Sequence, residues 1–302
     1  MEKKSSIKKY LRIAIPLTIL AILVAAGIFV YSNRESIYYT FVSSIDDKPL
    51  SETADVYEDL FYCGTDDKNQ TLDLVVPKER PFGATPLIIY IHGGGWSEGG
   101  KENTITDEYA AGMSNLGMAG ASIDYRLSNE AVYPAQNEDI TCAIDFLFAN
   151  ADKYHFDTEN IILVGDSAGG QLAAIEVFSQ KHEYKGLIMA YGVSDIWRQI
   201  TVSHDINAEK YIGTKAKEVA EKASPAFANT HPDTSFLLLH GTEDAIVPAE
   251  ESKEFAEKLR KEGIKVTYVT FEKAGHAFLG TGNEADKKAA LVILEWIANL
   301  VQ

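Results

Sequence analysis

The sequence predicts an α/β protein, with a mostly parallel central sheet flanked on both faces by helices. Three observations carry this. Short, mostly apolar runs that read as strands recur at residues 87–91, 118–125, 161–164, 187–191, 236–239 and 266–271. Strands buried on both faces read this way. Amphipathic stretches lie between them, as where Ile140, Ala143, Ile144, Leu147 and Phe148 recur at helical spacing. The third observation is the stretch 161–170. There an apolar strand ends in Gly165-Asp166-Ser167-Ala168-Gly169, and a helical pattern with Leu172, Ile175 and Phe178 follows. In such sheets ligands bind outside the carboxyl ends of the strands.

The chain has 302 residues, enough for one large domain and an appendage. The appendage comes first. Lys3, Lys4, Lys8, Lys9 and Arg12 precede an uncharged apolar run over 13–30. That run is long enough to span a bilayer as a helix, and the flanking lysines place its start in the cytoplasm. Residues 1–31 are therefore expected to be a short tail and membrane anchor, with the remainder outside the cell. A signal peptide cleaved near Val24-Ala25-Ala26 is the alternative. Residues 32–54 have no clear period and read as a stalk, and 55–302 as the α/β domain.

Net charge is −16 overall. Residues 1–31 hold five Lys/Arg and one Glu, which leaves 23 basic and 43 acidic residues beyond them, or −20. A domain so acidic is repelled by nucleic acid. Cys63 and Cys142 are the only cysteines. Cys142 falls in a helical apolar pattern, as a small core residue does. Two cysteines permit one disulfide, exclude a disulfide-rich scaffold and offer no metal-site spacing.

The elements follow in order. A strand pair is expected over 56–62 and 72–76, around the turn-rich residues 64–69. Strand 87–91 runs into His92-Gly93-Gly94-Gly95-Trp96, and a helix is expected over 109–116. The 161–164 strand and its helix come next, then strand 187–191. Residues 194–232 break the alternation and read as a short helical insertion near the site. A helix is expected over 249–262, and a last helix with Ala290, Ile293, Leu294, Ile297 and Ala298 on one face.

The pentapeptide 165–169 fits G-x-S-x-G, and between strand and helix that pattern makes a sharp turn that exposes the serine. A serine hydroxyl becomes nucleophilic only when a base takes its proton, and the base needs an orienting carboxylate. Of seven histidines, His276 stands just past the last strand, on the expected active edge. His92 leads into glycines and reads as loop-fixing; His240 ends a strand and reads as partly buried and structural. The carboxylate is expected in the loop 240–248, where Glu243 and Asp244 both qualify. The triple glycine lets backbone N–H groups approach a developing oxyanion, and the N–H after the nucleophile, on Ala168, is the second source. It lacks the pattern of a phosphate-binding loop.

From about residue 56 onward the chain resembles the α/β-hydrolase superfamily, and within it the hormone-sensitive-lipase-like and BD-FAE-like esterases. The matching motifs are HGGGW at 92–96, DYRL at 124–127, YPAQ at 133–136, GDSAGG at 165–170, SPA at 224–226, HGTEDAIVP at 240–248 and AGHAF at 274–278. The resemblance implies Ser167 as nucleophile, Asp244 rather than Glu243 as acid, and His276 as base. It implies Gly94, Gly95 and Ala168 as oxyanion donors, structural roles for Arg126 and Asp139, and no metal or cofactor. Its substrates would be small-molecule or glycan esters. The anchor lies outside the resemblance, and apart from SPA the insertion shows no close family pattern. The insertion has few large apolar residues, which predicts short acyl groups.

Overall fold

Alternation along the strands explains the architecture of this computed structural model, which describes residues 50–80, 85–102, 114, 117–230 and 232–301. Eight strands form one sheet in the order β1-β2-β4-β3-β5-β6-β7-β8. They are β1 Ala54–Phe61, β2 Thr71–Pro77, β3 Thr85–Ile91, β4 Ala119–Ile123, β5 Phe156–Asp166, β6 Gly186–Ala190, β7 Ser235–Gly241 and β8 Val266–Phe271. β1 pairs antiparallel with β2, and β2 with β4. The pairings from β4 through β3, β5, β6 and β7 to β8 are parallel.

Successive side chains of a strand point to opposite faces. Leu87, Ile89, Ile91, Ile161, Leu163, Leu187, Phe236 and Leu238 belong to one core, and Ile88, Tyr90, Ile162, Val164, Ile188, Leu237 and Leu239 to the other. Both faces are dry, so these strands carry no polar alternation.

The helices cover the faces. Helix α1, Ala135–Ala149, buries Ile140, Ala143, Ile144 and Leu147, the stripe its sequence predicts. α2 is Ala168–Ser179. The insertion over 194–232 folds into α3 Ile196–Thr201, α4 Ile206–Ile212 and α5 Lys217–Lys222. α6 is Ala249–Lys261, and α7 is Glu284–Leu300. α7 buries Ala289, Ile293 and Ile297, and Ala298 is exposed. Its face is therefore turned from the expected one, because Trp296 and Leu300 pack over Gly186 at the start of β6.

Two boundaries also differ. β1 begins at Ala54, within the expected stalk, after one helical turn at Leu50–Thr53. β4 is shorter than the apolar run 118–125, whose ends carry the chain into loops. The expected helix at 109–116 falls outside the described residues except at Ser114, and the apolar run 13–30 lies wholly outside them. Among the described residues, no helix is long and apolar enough to cross a membrane.

Cys63, in the β1–β2 loop, and Cys142, in α1, form a disulfide. Cys142 is thus a bridging residue rather than a free core thiol. Arg126 binds Asp139 through Nε and Nη2, and Gln70 also donates to that buried carboxylate. This ties the loop after β4 to α1.

Candidate active site

A single residue, Ser167, separates the end of β5 from the start of α2. Its backbone has φ 50° and ψ −117°. A non-glycine residue there costs of order 1–3 kcal/mol, and the surroundings must hold it. Here the Ser167 N–H donates to the Ala190 carbonyl at 2.9 Å. A Cβ on Gly165 would strike the Gly169 backbone, and one on Gly169 would strike the carbonyls of Ile91 and His92. The strand and helix meet too closely for any side chain at either position. The turn lifts the Ser167 hydroxyl above the sheet edge, at the positive end of α2.

The loops after β7 and β8 bring its partners. His276 Nε2 lies 2.9 Å from Ser167 Oγ, and His276 Nδ1 lies 2.7 Å from Asp244 Oδ2. The two loops are bound to each other: Glu243 N–H donates to the Ala274 carbonyl, and Lys273 N–H to Thr242 Oγ1. Gly241 is required, because a Cβ there would meet the Ala274 and Gly275 carbonyls. Asp244 Oδ1 accepts the N–H groups of Ile246 and Val247, each at 2.9 Å. Burial pushes the Asp244 carboxyl up. Hydrogen bonds from His240 and His276, with the charge of His276 and the Val247 N–H, outweigh burial and hold it well below the usual carboxylate range. Glu243 is exposed and takes no part in this line.

His240 departs from expectation. It is fully buried, and its Nε2 lies 3.1 Å from Asp244 Oδ2 as well as 2.8 Å from the Val247 carbonyl. Its position at a strand end signals burial; nothing in the sequence signals contact with the acid.

The glycine loop after β3 lies against the same edge. Gly94 has φ 108° and Gly95 φ 57°, and the Gly94 carbonyl accepts from Ser97 and Glu98 in a tight turn. His92 fixes this loop: its buried ring stacks on Tyr125 and donates from Nδ1 to the Gly93 carbonyl. Burial pushes the His92 pKa down to about 4, so the ring is neutral at physiological pH. A second anchor is Asp166, whose Oδ1 accepts the Tyr90 hydroxyl at 2.6 Å and the Gly93 N–H at 2.8 Å. Burial raises its pKa, and these bonds oppose the rise. The residue before the nucleophile thereby sets where the glycine loop sits. Ala168 is the first residue of α2.

The insertion closes the arrangement from above Trp96. That indole stacks on Tyr211 of α4 at 4.7 Å and donates to Gln171 of α2, which in turn donates to the Ala223 carbonyl. Asn207 of α4 lies against Gly95. The buried Glu251 of α6 accepts the N–H groups of Ser194 and Asp195 and the Gln199 amide, fixing where the insertion starts. The roles of Asp166 and Glu251 were not legible, because both contacts span distant parts of the chain. Among the described residues, no group of three or more His, Cys, Asp or Glu side chains is arranged to hold a metal.

A serine, histidine and aspartate aligned at the carboxyl edge of a mostly parallel eight-stranded sheet, on a strand–turn–helix elbow, define the α/β-hydrolase fold. Solved structures agree. Esterase B from Lactobacillus rhamnosis matches with a TM-score of 0.72 at 20% identity, over 94% of this chain and 96% of that one. A truncated carbohydrate esterase from gut microbiota matches with a TM-score of 0.68 at 22% identity, over 82% and 97%. The BD-FAE family model matches residues 72–259, and the chain belongs to that family. Among curated relatives, the esterase LipC of Mycobacterium tuberculosis is 29% identical over 239 residues, 70% of this chain and 58% of that protein. The isoprenylcysteine alpha-carbonyl methylesterase ICME of Arabidopsis thaliana is 26% identical over 245 residues, 71% and 55%. The chain thus spans little more than half the length of these relatives.

Proposed function

We propose that the protein is a serine-dependent carboxylic ester hydrolase acting through an acyl-enzyme. One observation carries the reading: His276 reaches Ser167 Oγ with one nitrogen and Asp244 with the other. In the proposed cycle, His276 Nε2 takes the hydroxyl proton as Ser167 Oγ attacks the ester carbonyl carbon. The carbonyl oxygen becomes an oxyanion facing the N–H groups of Gly94, Gly95 and Ala168. Such donors contribute about 3 kcal/mol each in related chemistry. As the tetrahedral intermediate collapses, the C–O bond breaks and His276 returns the proton to the departing alcohol. Water then attacks the acyl carbon and gives a proton to His276; as the acyl C–Oγ bond breaks, His276 passes that proton to Ser167 Oγ, which frees the acid and restores the serine. Asp244 keeps His276 in the tautomer with hydrogen on Nδ1.

Substrates on this reading are short-chain or acetylated esters, carbohydrate esters among them. The carbohydrate esterase among the similar structures, and the small number of apolar side chains left free in the insertion, support this. Ile196, Tyr211 and Ile212 are buried in the core. The site would sit outside the cell, held by residues 1–31. The lysine-flanked apolar run supports that placement, as does the Cys63–Cys142 bridge, since disulfides persist in oxidising compartments. A panel of p-nitrophenyl esters and acetylated glycans, offered to the purified full-length chain, tests the reading. Hydrolysis of acetyl esters is expected; turnover of none of them, alongside cleavage of peptides, would overturn it.

A further inference from the structure

The acid of the triad serves two histidines. Asp244 Oδ2 faces His276 Nδ1 at 2.7 Å and His240 Nε2 at 3.1 Å, while Oδ1 holds two backbone N–H groups. His240 comes from the end of β7 and is fully buried. Its Nε2 confronts two acceptors, the Asp244 carboxylate and the Val247 carbonyl at 2.8 Å. That nitrogen therefore carries the hydrogen: it donates to the Val247 carbonyl and stands 3.1 Å from the Asp244 carboxylate. Nδ1 lies 2.7 Å from Ser252 Oγ on α6, a hydroxyl able to donate to it. The two acceptors facing Nε2 thus fix the tautomer of His240, and the Ser252 hydroxyl completes it by donating to Nδ1.

We propose that His240 is a positioning residue of the hydrolytic site, directing the Asp244 carboxylate at His276 and limiting how strongly it binds the His276 proton. The inference rests on the ester-hydrolase reading for its effect on turnover and on geometry for its effect on His276. A carboxylate with all its acceptor positions filled is a weaker base than one with a position open. Without the His240 donor, Oδ2 has only His276 to bind, and it should hold the protonated ring more tightly. His276 would then surrender its proton at higher pH. The other titratable groups facing this line are Asp166, which feels the charge of His276 from the end of β5, and Tyr191, whose ring stands edge-on to His276 at 4.9 Å beyond β6.

The test compares His240→Met, which fills the space without a donor, with His240→Gln, whose amide nitrogen can stand where Nε2 stood. In the full-length chain, Met should lower kcat for p-nitrophenyl acetate by about tenfold to a hundredfold, with KM little changed, as misplacement of a catalytic group does. It should also move the acid limb of the kcat/KM profile, and the NMR titration of the His276 ring, upward by roughly half a pH unit or more. Gln should restore both. His240→Asn, polar but too short to reach, replaces Met if that variant does not fold. A profile and an NMR titration coincident with wild type, or a Gln variant as impaired as Met, would overturn the proposal. Absence of any ester hydrolysis by the wild type would overturn the esterase reading instead, and the NMR comparison would still decide the role of His240.

Discussion

Replacing Asp244 by asparagine removes one charge and turns one acceptor into a donor. The carboxylate accepts two hydrogen bonds from the Ile246 and Val247 backbone and one from His276, and His240 Nε2 stands 3.1 Å from Oδ2. If the asparagine keeps its oxygen toward the backbone pair, its NH2 meets the N–H groups of both histidines. His276 can relieve the clash by carrying its hydrogen on Nε2, and it then cannot accept the Ser167 proton. If the amide flips, the backbone pair is left facing a donor in a buried place, which costs about 1–3 kcal/mol of stability. Loss of the correct tautomer in a serine triad costs about 10⁴ in kcat, some 5.5 kcal/mol of barrier. Because a fraction of the flipped form retains the tautomer, we expect Asp244→Asn to lose about 10³ to 10⁴ in kcat/KM. Glu243→Gln should change it by less than about threefold, since Glu243 contributes only its backbone N–H. The assay is initial-rate hydrolysis of p-nitrophenyl acetate by variants whose near-UV spectra match wild type. An Asp244→Asn enzyme within about tenfold of wild type, near 1.4 kcal/mol, would refute the tautomer argument. So would Glu243→Gln as the more damaged variant.

The Cys63–Cys142 bridge closes a span of 79 residues, for which chain entropy gives about 4 kcal/mol. The Cys63→Ser, Cys142→Ser protein should lose about 2–4 kcal/mol in denaturant unfolding while keeping its kcat, and an unchanged midpoint would contradict the pairing. Acyl preference should fall from acetyl and butyryl toward octanoyl. A chain gains roughly 0.8 kcal/mol per methylene only where an apolar channel receives it, and a steady rise in kcat/KM to decanoate would reveal one. Activity should sediment with membranes through a carbonate wash, and deletion of residues 1–31 should release it in soluble form; recovery of most protein in the medium, starting near Gly27, would mean signal cleavage instead.

The parallel sheet was legible because the central stretches of β3, β5, β6 and β7 are apolar and buried on both faces. The elbow was legible because close packing of β5 on α2 leaves only glycine at 165 and 169, so a steric constraint is written into local sequence. Ser167 and His276 followed from position at the sheet edge. Choosing between Glu243 and Asp244 needed the family resemblance, since both carboxylates suit the loop chemically. The remainder depended on contacts between distant residues. Asp166 on Gly93, Glu251 on Ser194 and His240 on Asp244 leave no local period or motif. The face of α7 was misjudged by part of a turn for the same reason: helical spacing tells how residues share a stripe, and Gly186 on another strand decides which stripe is buried.

The central claim is that Ser167 is the nucleophile. The direct measurement is the intact mass of the protein after reaction with a fluorophosphonate, on wild type and on Ser167→Ala. The account predicts one adduct on wild type, located by peptide mapping to Ser167, and none on the variant, which should keep its thermal midpoint and lose ester hydrolysis by several orders of magnitude. An adduct on the alanine variant, or residual activity within about tenfold of wild type, a barrier change near 1.4 kcal/mol, would contradict it.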